Sequence, residues 1–270
     1  MQVRIREIKC KTALSPSLLP GYDYALNPYR GCEHACIYCY SPSVLRCREK
    51  WGTFVEPKVN IARVLSRELR DKPKGVVGIS SVTDPYQPLE RKYELTRRCL
   101  ELLLKYNFPI SIQTKSALVM RDLDLIKQFS NKDVGLTITT IEDELRRKYE
   151  PIASSVKERL LALRKIAECG ITSWVFIGPI MPFISDRNGS LEELLRAIAD
   201  SGVSYILIDK LRMKPGIWDN IEKFLVDYDA TLIPSYKEIL FKRDDSYFIN
   251  VRRRVMELCK QLGLKCESCF

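Results

Sequence analysis

Apolar residues recur along this chain in two rhythms, and their alternation predicts the architecture. Over 60–70, Ile61, Val64, Leu65 and Leu69 share one helical face, and the next apolar run, Gly75-Val-Val-Gly-Ile, is short and bounded by turn residues, as a buried strand is. The pattern repeats with helix 93–105, strand 110–114, helix 122–129, strand 134–140 and a helix over 154–168 that stops at Gly170. Strand 173–177 follows, then helix 190–199 with the capping-box spacing Ser190-x-x-Glu193, then strand 205–208. A short strand over 25–29 brings the parallel set to six, each short and apolar as a helix-covered sheet requires. The expected fold is α/β, an open (β/α)6 barrel, with a doubly wound sheet as the alternative that periodicity does not separate. Either way, the chemistry belongs on the loops that follow the strands: 30–40, 81–88, 114–120, 139–141, 178–186 and 209–214. Neither repeat nor low-complexity tract intervenes, so 1–216 reads as one barrel unit with its N-terminal segment. Residues 217–270 read as a mostly helical extension packed on it.

Composition narrows the chemistry. The 270 residues carry 44 Lys and Arg against 34 Asp and Glu, a net charge of +10 that leans toward polyanionic partners. Ten cysteines stand against a single histidine, which excludes a histidine-built metal site and leaves thiolate chemistry. The opening segment lacks an apolar signal core, and no apolar run approaches the roughly 20 residues of a membrane span. These features lead us to expect a cytoplasmic protein without a membrane partner, in which clustered thiols read as metal ligands or catalytic groups before disulfides. Neither a phosphate-binding G-x-x-x-x-G-K-[ST] loop nor a G-x-G-x-x-G turn follows any predicted strand, which argues against nucleoside triphosphatases and nicotinamide enzymes.

The loop after the first strand reads Arg30-Gly-Cys32-Glu-His-Ala-Cys36-Ile-Tyr-Cys39-Tyr. Zinc prefers four closed tetrahedral ligands, and three thiolates in one loop leave a position open. An iron–sulfur cluster suits such a loop better, because a [4Fe–4S] cluster on three cysteines keeps one iron free for a small-molecule ligand. The competing arrangement is a structural zinc that joins Cys36-x2-Cys39 to Cys266-x2-Cys269.

The spacing C-x3-C-x2-C with the aromatic Tyr38 before its last cysteine resembles the cluster loop of radical S-adenosylmethionine enzymes. The resemblance implies a partial barrel and a [4Fe–4S] cluster on Cys32, Cys36 and Cys39. It also implies S-adenosylmethionine on the open iron, reductive cleavage of its C–S bond, and a 5′-deoxyadenosyl radical that abstracts hydrogen. A ferredoxin- or flavodoxin-type reductant is implied as well. Residues 11–17, Gly21-Tyr-Asp-Tyr, Asn27-Pro-Tyr-Arg-Gly-Cys, Ser80-Ser-Val-Thr-Asp-Pro-Tyr-Gln-Pro, Thr114-Lys-Ser and Arg121-Asp look like the branch related to spore photoproduct lyase, also labelled DNA repair photolyase-like. In the lyase a cysteine near the Thr-Asp-Pro segment returns hydrogen to the product radical, and Ser81 stands at that place here. A serine O–H bond is too strong for that task, so the resemblance points to nucleic-acid modification rather than direct thymine-dimer repair.

Polar residues at the strand ends form the expected cofactor pocket: Tyr38, Ser81, Thr83, Asp84, Lys115, Thr139 and Thr140, with Arg121, Asp209 and Lys210 beside them. Cys259, Cys266 and Cys269, three thiols within eleven residues, form a candidate second metal site. An auxiliary iron–sulfur cluster with Cys10, Cys47 or an exogenous group as fourth ligand competes there with a zinc knuckle and with a redox pair at Cys266 and Cys269. Cys99 and Cys169 read as packing and helix-end residues. Two other functional readings stand beside the main one: a radical enzyme acting on a peptide or small metabolite, and a zinc-containing nucleic-acid-binding module.

Overall fold

The computed structural model describes residues 3–187, 189–242 and 245–270. Four short strands open the chain: β1 (Arg4–Ile5), β2 (Leu14–Pro16), β3 (Tyr24–Leu26) and β4 (Tyr29–Gly31). A single helical turn α1 (Ser41–Val44) and strand β5 (Phe54–Pro57) follow. Helices and strands then alternate through α2 (Ile61–Asp71), β6 (Val77–Ile79), α3 (Glu90–Tyr93), α4 (Leu95–Lys105), β7 (Ile110–Thr114), α5 (Leu123–Ile126) and β8 (Lys132–Thr137). The series continues with α6 (Asp143–Tyr149), α7 (Val156–Glu168), β9 (Thr172–Ile180), α8 (Ser190–Ala199) and β10 (Tyr205–Lys210). The chain finishes with α9 (Ile217–Tyr228), α10 (Ile233–Phe241), α11 (Ser246–Gln261) and β11 (Cys266–Ser268).

Strands β3, β6, β7, β8, β9 and β10 pair in chain order, every pair parallel, which is the arrangement of a partial (β/α)6 barrel. The sheet is open: β2 lies antiparallel on β3 at one edge, and β11 lies parallel on β10 at the other. Helices cover it because their apolar faces have nowhere else to go. On α2 all four residues of the predicted stripe are buried, and they join a core with Leu100 and Leu103 of α4, Leu163 and Ile166 of α7, and Leu194 and Ile198 of α8. Helix α7 starts at a capping box in which Glu158 N–H donates to Ser155 Oγ (3.2 Å) and Ser155 N–H donates to Glu158 Oε2 (2.7 Å).

Several details differ from the sequence reading. The strand expected over 25–29 is two: β3 belongs to the barrel, whereas β4 joins a separate three-stranded sheet in the order β1-β5-β4. These strands are two to four residues long, too short for periodicity to show. The predicted helix 93–105 is broken at Glu94, whose φ of 50° ends α3 and starts α4. At α8 the expected Ser190/Glu193 box is shifted by one residue. Gly189 N–H donates to Glu192 Oε2 (2.8 Å), which frees the Ser190 hydroxyl to donate to Glu142 Oε1 (2.8 Å).

A second apolar cluster forms over the C-terminal ends of the strands. It joins Cys36 and Tyr38 to Tyr149, Met181 and Ile184, and then to Ile221, Phe224, Tyr236 and Phe248 from the C-terminal helices. Among the described residues no helix is long and apolar enough to cross a membrane.

Candidate metal and cofactor site

The cysteine loop begins where β4 ends. Gly31 has φ +86°, and a side chain there would place its Cβ 2.4 Å from the Phe54 carbonyl oxygen on the neighbouring strand. Only glycine turns the chain into the loop at this point. The Gly31→Ala variant is expected to be less stable by about 2 kcal/mol or more. It should also take up less iron on reconstitution than the wild type. Thermal denaturation and iron content measure the two effects, and wild-type values for both would show that the turn tolerates a side chain.

Within the loop Cys32 and Cys36 are buried and Cys39 is half-buried. Burial, with the Asp84 carboxylate and the neighbouring thiols, pushes the Cys32 thiol well up; burial likewise raises Cys36, against the pull of Lys115. Thiols of this kind are protonated at neutral pH and release their protons on binding metal. Among the described residues no three His, Cys, Asp or Glu side chains are placed to hold one metal ion. A tetrahedral zinc needs its thiolates to converge on a point at about 2.3 Å. A cluster takes each thiolate on a separate iron, so the loop's donor set, three thiols and no converging carboxylate, fits the polynuclear group.

Three sets of contacts hold the loop. At its base the Thr83 hydroxyl donates to the Gly31 carbonyl (2.6 Å), and Gln87 Oε1 accepts from Glu33 N–H (3.0 Å). On one side lies Asp84, buried, accepting from the Thr114 hydroxyl (2.6 Å) and from Lys115 N–H (2.8 Å), with His34 Nδ1 at 3.3 Å. Burial opposes the charge on Asp84, but His34 and these hydrogen bonds outweigh it and bring its carboxyl down to about 2. On the other side the Tyr38 hydroxyl donates to Glu150 Oε1, and Ile37 N–H donates to the Tyr149 carbonyl (3.1 Å). Glu150 is in turn paired with Arg159 Nη2 at 2.5 Å, both side chains fully buried. Arg159 also donates to the carbonyls of Thr137 (2.7 Å) and Ser154 (2.8 Å).

The structure therefore gathers some of the nominated residues at the thiols and leaves others in structural roles. The Lys115 Nζ stands 5.7 Å from the centre of the Tyr38 ring. Burial works against its charge, but Cys36, Glu150 and Asp84 together raise its pKa. Ser81 is half-buried, its Oγ accepting from Asn27 Nδ2 (3.1 Å), and Asn27 Oδ1 accepts from the N–H groups of Ser81 and Val82 (3.0 Å each). Thr139 donates to Glu150 Oε1 (3.2 Å), and Thr140 Oγ1 accepts from Glu142 N–H (3.1 Å); both threonines are buried. Arg121 binds Glu90 and Asp122, Lys210 pairs with Asp245, and Asp209 pairs with Arg212. Sequence reasoning missed Glu150 and Arg159. A signal was present, because Arg159 falls among Val156, Ala162, Leu163 and Ile166 on the apolar face of its helix.

The C-terminal thiols are not brought together as a trio. Cys259 is buried and contacts half-buried Cys266, while Cys269 is exposed. β11 ends at Ser268, and Cys269 follows it at the surface, apart from the buried Cys259. Cys10 lies near Lys58 and Glu68, and Cys47 near Arg30 and Glu49, away from the groups around Cys259. The zinc arrangement joining the two C-x2-C pairs is not formed either: Cys266 is in register with Ile206, at the start of β10, whereas the cysteine loop lies at the strands' C-terminal ends.

Comparison with known proteins fits this geometry. Residues 26–188 match the family described as the Radical SAM superfamily. An uncharacterised protein of Methanocaldococcus jannaschii is 39% identical over 187 residues, 68% of this chain and 71% of that protein. The Radical SAM Nalpha-GlyT isomerase of Pseudomonas phage M6 is 24% identical over 184 residues, 67% of this chain and 38% of that protein. Spore photoproduct lyase complexed with dinucleoside spore photoproduct has a similar fold, with a TM-score of 0.72 at 18% identity over 98% of this chain and 82% of that one. A variant of that lyase with bound AdoMet has a TM-score of 0.70 at 17% identity, over 98% and 81% of the two chains. A family match over more than half the chain, laid on a six-stranded parallel barrel with three thiols in the loop after its first strands, leads to one assignment: the chain belongs to the radical SAM superfamily, an enzyme family whose members use a [4Fe–4S] cluster and S-adenosylmethionine.

Proposed function

We propose that Cys32, Cys36 and Cys39 hold a [4Fe–4S] cluster that binds S-adenosylmethionine, and that the enzyme modifies a nucleic acid. The observation that carries the reading is the buried three-thiol loop, anchored on one side by Asp84 and on the other by Glu150. Bound there, the cluster and S-adenosylmethionine supply one-electron cleavage of a C–S bond and a 5′-deoxyadenosyl radical that takes hydrogen from the substrate. The chain's own part is to position and to shield. Tyr38 and Lys115, beside Cys36, are the contacts for the adenosine and carboxylate ends of S-adenosylmethionine, with Ser81 a further contact. Thr83 and Asp84 fix the loop's base, while Thr139 and Thr140 support Glu150 and the start of α6. A ferredoxin- or flavodoxin-class protein is the reductant.

A nucleic acid is favoured as substrate by the net charge of +10. The dinucleoside bound in the lyase complex supports the same class. Ser81 in place of a thiol favours modification over dimer repair. The test is anaerobic incubation of reconstituted enzyme and reductant with DNA, with tRNA and with a neutral peptide. The nucleic acid that is the substrate should raise 5′-deoxyadenosine output about tenfold or more and acquire a mass change. Its affinity should fall steeply between about 50 and 200 mM salt, as phosphate contacts require. Turnover with the peptide alone would transfer the chemistry to a peptide substrate and overturn the nucleic-acid reading.

A further inference from the structure

We propose that Cys259 and Cys266 are an oxidisable pair whose disulfide staples helix α11 to the edge strand β11. The local chain geometry brings them together. Cys259 sits in the last turn of α11, and its carbonyl accepts from Leu264 N–H (2.8 Å). Gly263, with φ +67°, reverses the chain there. β11 then begins at Cys266, opposite Ile206 of β10, with its thiol under the helix it has just left. Both cysteines line one hollow of about 450 Å³, open to solvent between Arg253, Met256, Lys260 and Leu264.

The two thiols are unequal. Cys259 is 1% exposed and packed in the main core, whereas Cys266 is half-buried at its rim. The two thiols are in hydrogen-bonding contact, and burial raises Cys259. Cys266 is thus the thiol that reacts first, with Cys259 behind it as the resolving partner. The Cys266 thiolate attacks one sulfur of an external disulfide and expels one thiolate. Cys259 then loses its proton to water, and its sulfur displaces the second thiolate from the mixed disulfide. Two electrons pass to the external disulfide, which leaves as two thiols. Arg253 and Lys260 against the single carboxylate of Glu257 leave the hollow's lining net positive, which suits an anionic oxidant such as oxidised glutathione.

The staple would close a ring of eight residues and fix the last strand. That strand leads into Phe270, whose carbonyl accepts from Arg252 (2.7 Å) and whose ring packs on Phe248. The test uses anaerobically purified, cluster-reconstituted protein equilibrated with graded ratios of oxidised to reduced glutathione, alkylated and digested with trypsin. Oxidation should link peptide 255–260 to peptide 266–270. The link should persist in Cys269→Ser and vanish in Cys266→Ser. The oxidised wild type should melt about 5 °C above the reduced form, a difference absent in Cys259→Ala. Full alkylation of both thiols at every ratio would overturn the proposal. So would a link that survives in Cys266→Ser, or one equivalent of zinc held by these thiols in the purified protein.

Discussion

Replacing Cys36 by alanine is expected to leave a folded protein that retains little iron and forms no 5′-deoxyadenosine above background. The loss in cleavage rate should be at least about 10³-fold, or roughly 4 kcal/mol on the barrier. The expectation follows from the donor set: the loop offers three thiols, and removing one leaves a site one ligand short. The buried thiol itself packs against Tyr38 and Tyr149, so its truncation also costs some stability, and a second variant separates the two effects. Cys99 is equally buried, on α4 and outside the cysteine loop, so Cys99→Ala should keep full iron. Anaerobic iron and sulfide analysis, with chromatography of the nucleoside product, reads the outcome. Iron and turnover at wild-type levels in Cys36→Ala would remove the cluster assignment.

Arg159→Met is expected to destabilise the protein by about 3–5 kcal/mol, because it leaves the Glu150 carboxylate buried without its cation. For a chain of this size that corresponds to a melting temperature lower by roughly 10 °C. Burial opposes the charge on Glu150, but Arg159, Lys115 and the Tyr38 hydroxyl together hold its carboxyl below the usual carboxylate range. A depressed folded-state pKa contributes stability that is present above the unfolded-state value and disappears as pH falls through the folded-state value. The pair's contribution is therefore whole at neutral pH and fades only in acid, below about pH 4. Arg159→Met should lose that acid-sensitive share, and adding Glu150→Gln should restore part of the melting temperature. Thermal melts at pH 7 and pH 4 check both statements. A variant that melts with the wild type would show that the pair is energetically neutral.

The barrel was legible because its signals are local. Each helix writes its buried face at a spacing of three and four residues, and each buried strand is a short apolar run, so α2, α4, α7, α8 and their strands stood out without tertiary information. The three loop cysteines were legible for the same reason, lying within eight residues of one another. What was hidden is held by separation along the chain. Tyr38 meets Glu150 across 112 positions, and nothing in the tyrosine's own neighbourhood announces that partner. The C-terminal thiols misled in the opposite sense. Closeness in sequence grouped Cys259, Cys266 and Cys269, whereas the helix reversal at Gly263 brings Cys259 to Cys266 and leaves Cys269 exposed.

The apolar cluster that ties Cys36 and Tyr38 to Phe224, Tyr236 and Phe248 gives the last quarter of the chain a role that its place in sequence conceals. These helices form a roof over the thiols, and they lie wholly outside the span 26–188 that carries the family likeness. Hearth and roof can then change independently. Substitutions at Phe224 or Tyr236 would reshape the packing around the thiols while leaving the cysteine ligands in place. Relatives with the same loop and a different roof would perform the same first step on different guests.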